Sequence, residues 1–576
     1  MFDGAKLGIF TGLACALAAA ALLRCAWLTS DPPTHPSVGI VWHDEGAWLH
    51  NARNRALWGT WRTDEWNPIF IAPVFTGLEY AAFHVFGVGT WQARTVPVAS
   101  GLAAVALLAM GLAISGGRRS AVIGAWLLAS NYVFVMWNRA ALMESSMTAF
   151  MVLSWAAYAA AERRPSLGVI AGLGAVLAWF TKAAAAFFLL ALAADAVATL
   201  ALARWSALRR RLAVGCPRRD TVRAAGWTLA GLAVGGGVAL VVFVLPNWQE
   251  YRFYNWQMSV LRKPDYSLAA LADRASWIPI VHDSFTRMWL VTAAACLGIT
   301  AIVMRWRTAQ PAERLLVLWV VLGFAELIVH DSGNQRRYVM FIPALVALSS
   351  GVLGRSGPLW PPMDQSDRWT RRVSLLLGLA LAYVVVGGIA RLAFLDDVRA
   401  GVYLSAGVAA VAWACIVWQW RRLCEWLGRQ RIAASGALAL VLLVVAGDLA
   451  QYAQWGARRT ALNYDASRAV GRVLPPGTLV HGKLANGLSL ENRIRPVFVG
   501  RGFGNFADRT RRDDIPYVLT YLLPRIGYEG SVITDVLDAY PGRTVIATFD
   551  VAETASGHDV AALVAKFGPG APRESR

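Results

Sequence analysis

Charged residues are scarce in this sequence. They make up 16% of its 576 residues, whereas a soluble domain carries about 25%. A soluble chain of this length would also divide into several cores joined by polar linkers. Lysine is especially rare among the 55 basic residues, and arginine supplies the rest; the lysines are Lys6, Lys182, Lys263, Lys483 and Lys566. A large soluble protein is therefore not expected.

Several chemical signatures are missing as well. The six cysteines are scattered without a CxxC pair, which argues against a disulfide framework and a thiolate metal site. There is no GxxxxGK[ST] loop and no strand-bound GxGxxG, so direct nucleotide binding is not expected. The net charge of +19 comes mostly from arginines between apolar runs rather than from a basic aqueous domain. Nucleic acid is therefore not expected as a partner.

Long apolar runs take the place of these features. Apolar residues make up 57% of the chain and the mean hydropathy is +0.45. About 20 residues of helix cross a bilayer core, and barrel strands would alternate over about 10 residues, which these runs do not. The pattern predicts a polytopic α-helical membrane protein with about thirteen transmembrane helices. The predicted spans are 10–28, 95–115, 120–137, 141–161, 167–181, 183–203, 225–245, 288–304, 315–330, 338–354, 373–393, 402–420 and 434–452.

Arginine placement predicts the orientation of these spans. Alternate connections are rich in arginine, as cytoplasmic loops are, whereas the loop 29–92 is acidic. We therefore expect a cytoplasmic N-terminus and a transmembrane domain over 1–454, with loop 29–92 outside. The preference for arginine over lysine is typical of a GC-rich bacterial genome, so the predicted location is the bacterial cytoplasmic (inner) membrane, with membrane lipids as neighbours.

The composition becomes more polar near residue 455. Turn signals separate short strand-like runs, and helical patterns alternate with them, which predicts a small extracytoplasmic α/β domain over 455–576. The predicted strands are 478–481, 496–499, 517–522 and 544–549, and the predicted helices are 458–472, 529–540 and 558–567.

Two adjacent carboxylates, Asp44 and Glu45, follow the end of the first predicted span by about 16 residues. An acidic pair at a membrane interface can supply a general base and its orienting partner for a hydroxyl nucleophile. The alternative is that both are solvated charges in the first turn of a helix, where acidic residues are favoured. The residues alone leave these two interpretations open.

The surrounding pattern resembles a known family. The Asp-Glu pair after the first span is followed by Ala52, Leu57, Trp58-Gly59, Asp64, Pro68, Pro73, Phe86-Gly87-Val88-Gly89 and Arg94. This arrangement is similar to that of the C superfamily of membrane glycosyltransferases, which includes protein O-mannosyltransferases and the lipid A aminoarabinose transferase. The resemblance covers the arrangement of the whole membrane part, with similarity of motifs mainly in 41–144, and the span count and the C-terminal outer domain support it.

The resemblance implies an inverting sugar transfer from a polyprenyl-phosphate donor to a hydroxyl of an envelope acceptor, which is a lipid, polysaccharide or protein. It implies that Asp44 is the general base and that Glu45 orients or binds the acceptor. Glu144 stands where the family often has a second carboxylate, usually an aspartate. The alternative for Glu144 is an ion pair or cap near Arg139.

The resemblance also implies cations that hold the lipid phosphate. The candidates are Lys182, Arg139, Arg336 and Arg337, all of which fall on predicted outer connections. Snorkelling to the interface is the alternative for Lys182, and interfacial anchoring is the alternative for the two arginines beside Tyr338.

Other functions remain open at this point. His43 and His50 flank the acidic pair, and His282-Asp283 and His330-Asp331 are predicted outside, but their spacing matches no compact ligand set. No cofactor is expected, and a divalent metal is kept as an alternative. A polyprenyl-lipid flippase or other transporter, and a non-catalytic subunit of envelope assembly, are the alternative functions. No inverted repeat supports the transporter.

Overall fold

The structure is a computed structural model. It describes residues 4–33, 40–212, 215–261, 269, 288–330, 335–355, 368–392, 399–420, 422, 425–426, 433–500, 503–523, 530–552 and 558–568.

Helices dominate the first three quarters of the chain, and every predicted span falls on one or two of them. These helices are α1 (Gly4–Cys25), α4 (Thr90–Ser115), α5 (Arg118–Ser130), α6 (Tyr132–Trp137), α7 (Met143–Ala161), α8 (Gly168–Thr181), α9 (Ala186–Arg204), α11 (Arg219–Ala239), α13 (Trp289–Met304), α14 (Pro311–His330), α15 (Ile342–Leu353), α16 (Arg368–Leu392), α17 (Arg399–Trp418) and α18 (Ala434–Arg458). Within the described ranges, five helical segments are long and apolar enough to cross a membrane. The count of thirteen crossings stays a prediction.

Shorter helices lie between these. They are α2 (His43–Trp58), α3 (Pro73–Phe86), α10 (Ser206–Leu212) and α12 (Trp248–Trp256), together with a 3-10 helix over Gln335–Phe341 that leads into α15. Gly59 caps the C-terminal end of α2, and its φ of 72° is a left-handed conformation that glycine adopts without steric cost. Helices α2 and α3 pack on each other, and the 3-10 helix packs on α7. These contacts bring the acidic pair towards the helical bundle.

The third predicted span is divided at Asn131. The side chain of Asn131 accepts a hydrogen bond from the Phe134 amide at 2.9 Å and so caps α6. A carboxyl oxygen of Asp448, on α18, accepts from the Tyr132 amide at 3.1 Å. Two side chains therefore satisfy backbone donors at the start of α6, and this lets the helix restart within an apolar run.

The C-terminal part forms a five-stranded sheet with the order β2-β1-β3-β5-β4. Its elements are α19 (Leu462–Val473), β1 (Leu479–His481), α20 (Lys483–Gly487), β2 (Arg495–Val497), β3 (Tyr517–Tyr521), α21 (Gly530–Asp538), β4 (Thr544–Val551) and β5 (Asp559–Ala565). Strand β1 is parallel to β2 and β3, and β5 is antiparallel to β3 and β4.

The predicted helix 558–567 is wrong, because this segment is the strand β5. Its sequence is rich in alanine, which favours helix. In the fold, however, β5 is paired on both edges, with β3 and with β4. Consecutive residues of β5 are buried on both faces of the sheet, so the alternation that would have indicated a strand is missing.

The C-terminal sheet region is fixed to the segment between α1 and α4 by polar contacts. Asp31 accepts hydrogen bonds from the Leu462 and Asn463 amides at 2.7 and 3.1 Å, at the start of α19. An oxygen of Asp64 accepts from the Phe498 amide at 2.9 Å. These carboxylates satisfy backbone donors of the sheet region and hold it against the loop that carries the acidic pair.

Candidate active site

Asp44 lies in the first turn of α2, and its two carboxyl oxygens face different cations. Arg336, from the 3-10 helix before α15, pairs with Oδ2. Lys483 Nζ lies 2.6 Å from Oδ1. Burial alone would raise the pKa of Asp44, but Arg336 and Lys483 outweigh it and hold that pKa below its usual value. Asp44 is therefore ionised at neutral pH and is tightly paired.

His43 is the neighbouring titratable group. Its Nδ1 lies 3.9 Å from Oδ1 of Asp44. Burial and then the charge of Lys483 lower the pKa of His43 to about 3, so that its ring is neutral at physiological pH. His43 therefore adds no charge to this site above about pH 5.

Lys483 was missed by the sequence-based site prediction. It is the first residue of α20, directly after β1 and Gly482, and is therefore contributed by the C-terminal region. Its rarity as one of five lysines was the available signal, the same one that pointed to Lys182. A lysine some 440 residues from Asp44 could not be placed beside it without the fold.

Glu45 faces away from this cluster. Its carboxylate forms a bidentate pair with Arg94 of α4, at 2.9 and 2.7 Å, and both side chains are buried. Oε1 also accepts from the Ala141 amide at 2.6 Å. Because these contacts join α2 to α4 and to the segment before α7, the geometry favours a positioning role for Glu45 over direct contact with the acceptor.

The structure brings together Glu144 and Lys182, which the sequence predicted as separate site residues. Glu144 is buried in the first turn of α7, and Lys182 follows the last residue of α8 in an extended conformation. Lys182 Nζ donates to Oε1 of Glu144 at 2.5 Å. The buried carboxylate of Glu144 thus holds the Lys182 ammonium at the end of an apolar helix. Snorkelling to the membrane interface would not require such a partner.

Arg139 has a different environment. One of its guanidinium nitrogens donates to the carbonyls of Leu23, Arg24 and Ala26, and the other donates to Trp27. Leu23 and Arg24 lie in the last turn of α1, which has unsatisfied carbonyl acceptors, and Ala26 and Trp27 follow the helix directly. The geometry favours a structural role for Arg139 as a cap of α1 over binding of the lipid phosphate.

The remaining predicted residues are Arg337 and the histidines. Arg337 lies in the 3-10 helix, but its side chain is outside the part of the chain that is described. His50 Nε2 and an oxygen of Asp64 are 2.9 Å apart. Within the described ranges, no three His, Cys, Asp or Glu side chains are grouped to hold a metal. His282, Asp283, Asp331 and the side chain of His330 lie outside these ranges.

Comparison with solved structures identifies the architecture. ArnT from Cupriavidus metallidurans, solved with bound undecaprenyl phosphate, is similar over 98% of this chain and 100% of its own, with a TM-score of 0.52 and 17% sequence identity. The chain has the fold of the C-superfamily membrane glycosyltransferases. The resemblance predicted from the Asp-Glu pattern is thus confirmed at the level of the fold. No family model matches the sequence, and no curated protein matches it significantly.

Weaker likenesses extend to two further proteins with the C-superfamily fold. The apo oligosaccharyltransferase from Archaeoglobus fulgidus has a TM-score of 0.48 and 13% identity, over 95% of this chain and 74% of that one. The arabinosyltransferase EmbB from Mycobacterium smegmatis has a TM-score of 0.43 and 13% identity, over 78% and 41% of the two chains. The fold and the apolar helices identify the chain as a membrane protein.

Proposed function

We propose that the protein transfers a sugar from a polyprenyl-phosphate carrier to a hydroxyl group of an envelope acceptor at the outer face of the bacterial cytoplasmic membrane. The observation that carries this proposal is the buried carboxylate Asp44, which lies among cations in the first turn of α2, the next helix after the first apolar helix. Carboxylates take protons from hydroxyls, and cations stabilise a phosphate leaving group, so this cluster holds both functions that the reaction needs.

The reaction is a single displacement that inverts the anomeric carbon. The acceptor oxygen forms a bond to that carbon, and the bond from the carbon to the phosphate oxygen breaks, so that the lipid phosphate leaves with the electron pair. The acceptor proton goes to Asp44. Arg336 and Lys182 are proposed to stabilise the phosphate as its charge increases, with Glu144 positioning the Lys182 ammonium.

An apolar groove supports a lipid-linked donor. It has a volume of about 430 Å³ and is lined by residues of α3, α8 and α11, including Pro73, Phe180 and Val238. Phe180 precedes Lys182 by two residues, so the groove adjoins the end of α8 where the ammonium lies. A polyprenyl chain in this groove would place its phosphate near a cation, as an amphipathic donor requires.

The test is a genetic complementation read by mass spectrometry. Envelope lipids, polysaccharides and glycoproteins are compared between a deletion strain and strains that carry the wild type or Asp44→Asn. We expect one sugar-modified product to be lost on deletion and restored only by the wild type, because losing a general base costs about 10²–10⁴-fold in rate. The control is Asp465→Asn, which removes an exposed carboxylate on α19 and should restore the product.

Restoration of the product by Asp44→Asn would contradict the enzymatic role. That result would favour the transporter or the assembly subunit instead, since neither needs a proton acceptor at this position. Equal amounts of protein in the membrane must be verified for each variant, because Asp44 is buried and paired.

A further inference from the structure

Two cations from distant parts of the chain hold the two oxygens of Asp44. Arg336 donates to Oδ2, and Lys483 Nζ lies 2.6 Å from Oδ1. The Lys483 side chain is 7% exposed and that of Asp44 is 11% exposed, so both are largely removed from water. Three elements meet at this carboxylate, namely α2, the 3-10 helix and α20, and the last belongs to the C-terminal sheet region.

The backbone of α20 is pressed against α2. A Cβ atom built on Gly46 would lie 1.8 Å from the carbonyl oxygen of Asn486, so only glycine allows this approach. On the same helix, buried Arg53 donates to the carbonyl of Ser489 at 3.1 Å, just beyond α20. The close contact between the backbones of α2 and α20, together with the hydrogen bond from Arg53, therefore positions Lys483 beside Asp44.

This arrangement is poorly suited to proton transfer while both cations are in place. Protonating Asp44 would leave Arg336 and Lys483 facing a neutral group, and nearby His43 is neutral and supplies no replacement charge. For Asp44 to accept the proton of the acceptor hydroxyl, at least one cation has to turn towards another anion. The donor phosphate is the anion that the proposed reaction brings, and its negative charge grows as it leaves.

We infer that Lys483 is a phosphate-binding residue that the C-terminal region contributes to the active site, paired with Asp44 when no carrier is bound and with the carrier phosphate when it is. This inference rests on the function proposed above. Its ammonium is compact and has three donors, so it can serve either a carboxylate or a phosphate oxygen. Only ion pairs exchange in this step, and the exchange frees Asp44 to act as the base.

The experiment measures binding of undecaprenyl phosphate, the probe for the carrier, to the full-length protein in lipid nanodiscs. Lys483→Ala should weaken binding about 10- to 100-fold, as expected for a lost charge-assisted hydrogen bond. Lys483→Arg should retain part of the affinity because the charge remains. Asp44→Asn should bind the probe more tightly than the wild type, because the competing carboxylate is gone, and adding Lys483→Ala should abolish that gain.

The matched control is Arg472→Ala, which removes an exposed cation from α19 in the same region and should leave binding unchanged. Wild-type affinity in a folded Lys483→Ala variant would overturn the inference, and so would an Asp44→Asn variant that binds no better than the wild type. If Lys483→Ala does not fold, Lys483→Gln takes its place and should show the same loss of affinity for the probe. The comparison of Asp44→Asn with the wild type tests the inference without any change at Lys483. A wild type that does not bind the probe would count against the proposed function itself.

Discussion

At the scale of single residues, Glu79 has an unusual environment in the segment between α1 and α4. It lies on α3, it is fully buried, and both of its carboxyl oxygens have no hydrogen-bond partner among the residues that the structure describes. Burial raises the pKa of Glu79 well above its usual value, and the nearby charge of Glu45 raises it further. Glu79 is therefore protonated in the folded protein under conditions in which an exposed glutamate is ionised.

This shift predicts a pH-dependent stability that Glu79→Gln should remove. Because the pKa of Glu79 is raised in the folded state, its contribution to the free energy of unfolding is complete below the ordinary glutamate pKa. That contribution decreases as the pH rises from the ordinary pKa towards the raised one. The variant should gain up to about 1.4 kcal/mol over the wild type for each pH unit within that window. Thermal unfolding at pH 5 and pH 8 measures this, with exposed Glu65→Gln as the control. Equal responses of the wild type and Glu79→Gln to pH would contradict it.

Residue patterns predicted part of the candidate site. The Asp-Glu pair was found from its position after an apolar run, and scarcity pointed to Lys182, which the structure places on Glu144. Scarcity could have pointed to Lys483 as well, but only tertiary contact shows which lysine meets Asp44. The sequence also did not show that Asp44 and Glu45 have different partners. Adjacent residues on a helix point about 100° apart, and the groups that they meet come from other parts of the chain.

At the scale of elements, the contact between α2 and α20 predicts the effect of Gly46→Ala. The added methyl group would clash with the Asn486 carbonyl, which is a backbone atom and cannot rotate away. Helix α20 must therefore shift, and Lys483 would move away from Asp44. We expect transfer to fall at least about 10-fold, since misplacements of this size cost up to about 100-fold. The rate per folded molecule is measured, together with protease cleavage of the C-terminal region.

The control for this variant is Gly77→Ala on α3, where a Cβ atom would meet nothing within 4 Å. It should leave transfer unchanged and stabilise the helix by about 0.5–1 kcal/mol. Unchanged transfer in Gly46→Ala would show that α20 is not needed at Asp44.

Helices and strands were easiest to predict where a local sequence pattern was enough to identify them. The apolar runs located the apolar helices of the fold, because backbone groups in lipid need internal partners and a continuous apolar run is therefore expected to be helical. Strands β1 to β4 followed from turn signals and short apolar runs. The failure at β5 and the division of the third span at Asn131 both arise from tertiary partners, two neighbouring strands in one case and Asp448 in the other. A local pattern carries no information about such partners.

At the scale of the whole molecule, the contacts of the C-terminal region bear on topology. Asp31 follows α1 closely and binds the Leu462 amide, which follows α18 closely. The carboxyl ends of α1 and α18 therefore lie on the same side of the helical bundle, together with α2 and the sheet. If α1 crosses the membrane once, the N-terminus lies on the side opposite to the active site. This relation between the ends of α1 and α18 does not depend on where the arginines lie.

The expected topology has the N-terminus in the cytoplasm and the C-terminal region outside. A fluorescent reporter that matures only in the cytoplasm should be bright at the N-terminus and dark at residue 576, and a phosphatase that is active only outside should show the reverse. The arginines in alternate connections predict which side of the membrane is cytoplasmic. The Asp31 contact shows that the carboxyl ends of α1 and α18 lie on the same side of the helical bundle. A bright C-terminal fusion would put Asp44, Lys483 and Arg336 on the cytoplasmic side, since both cations contact Asp44. The acceptor would then have to be cytoplasmic, and transfer at the outer face would be ruled out.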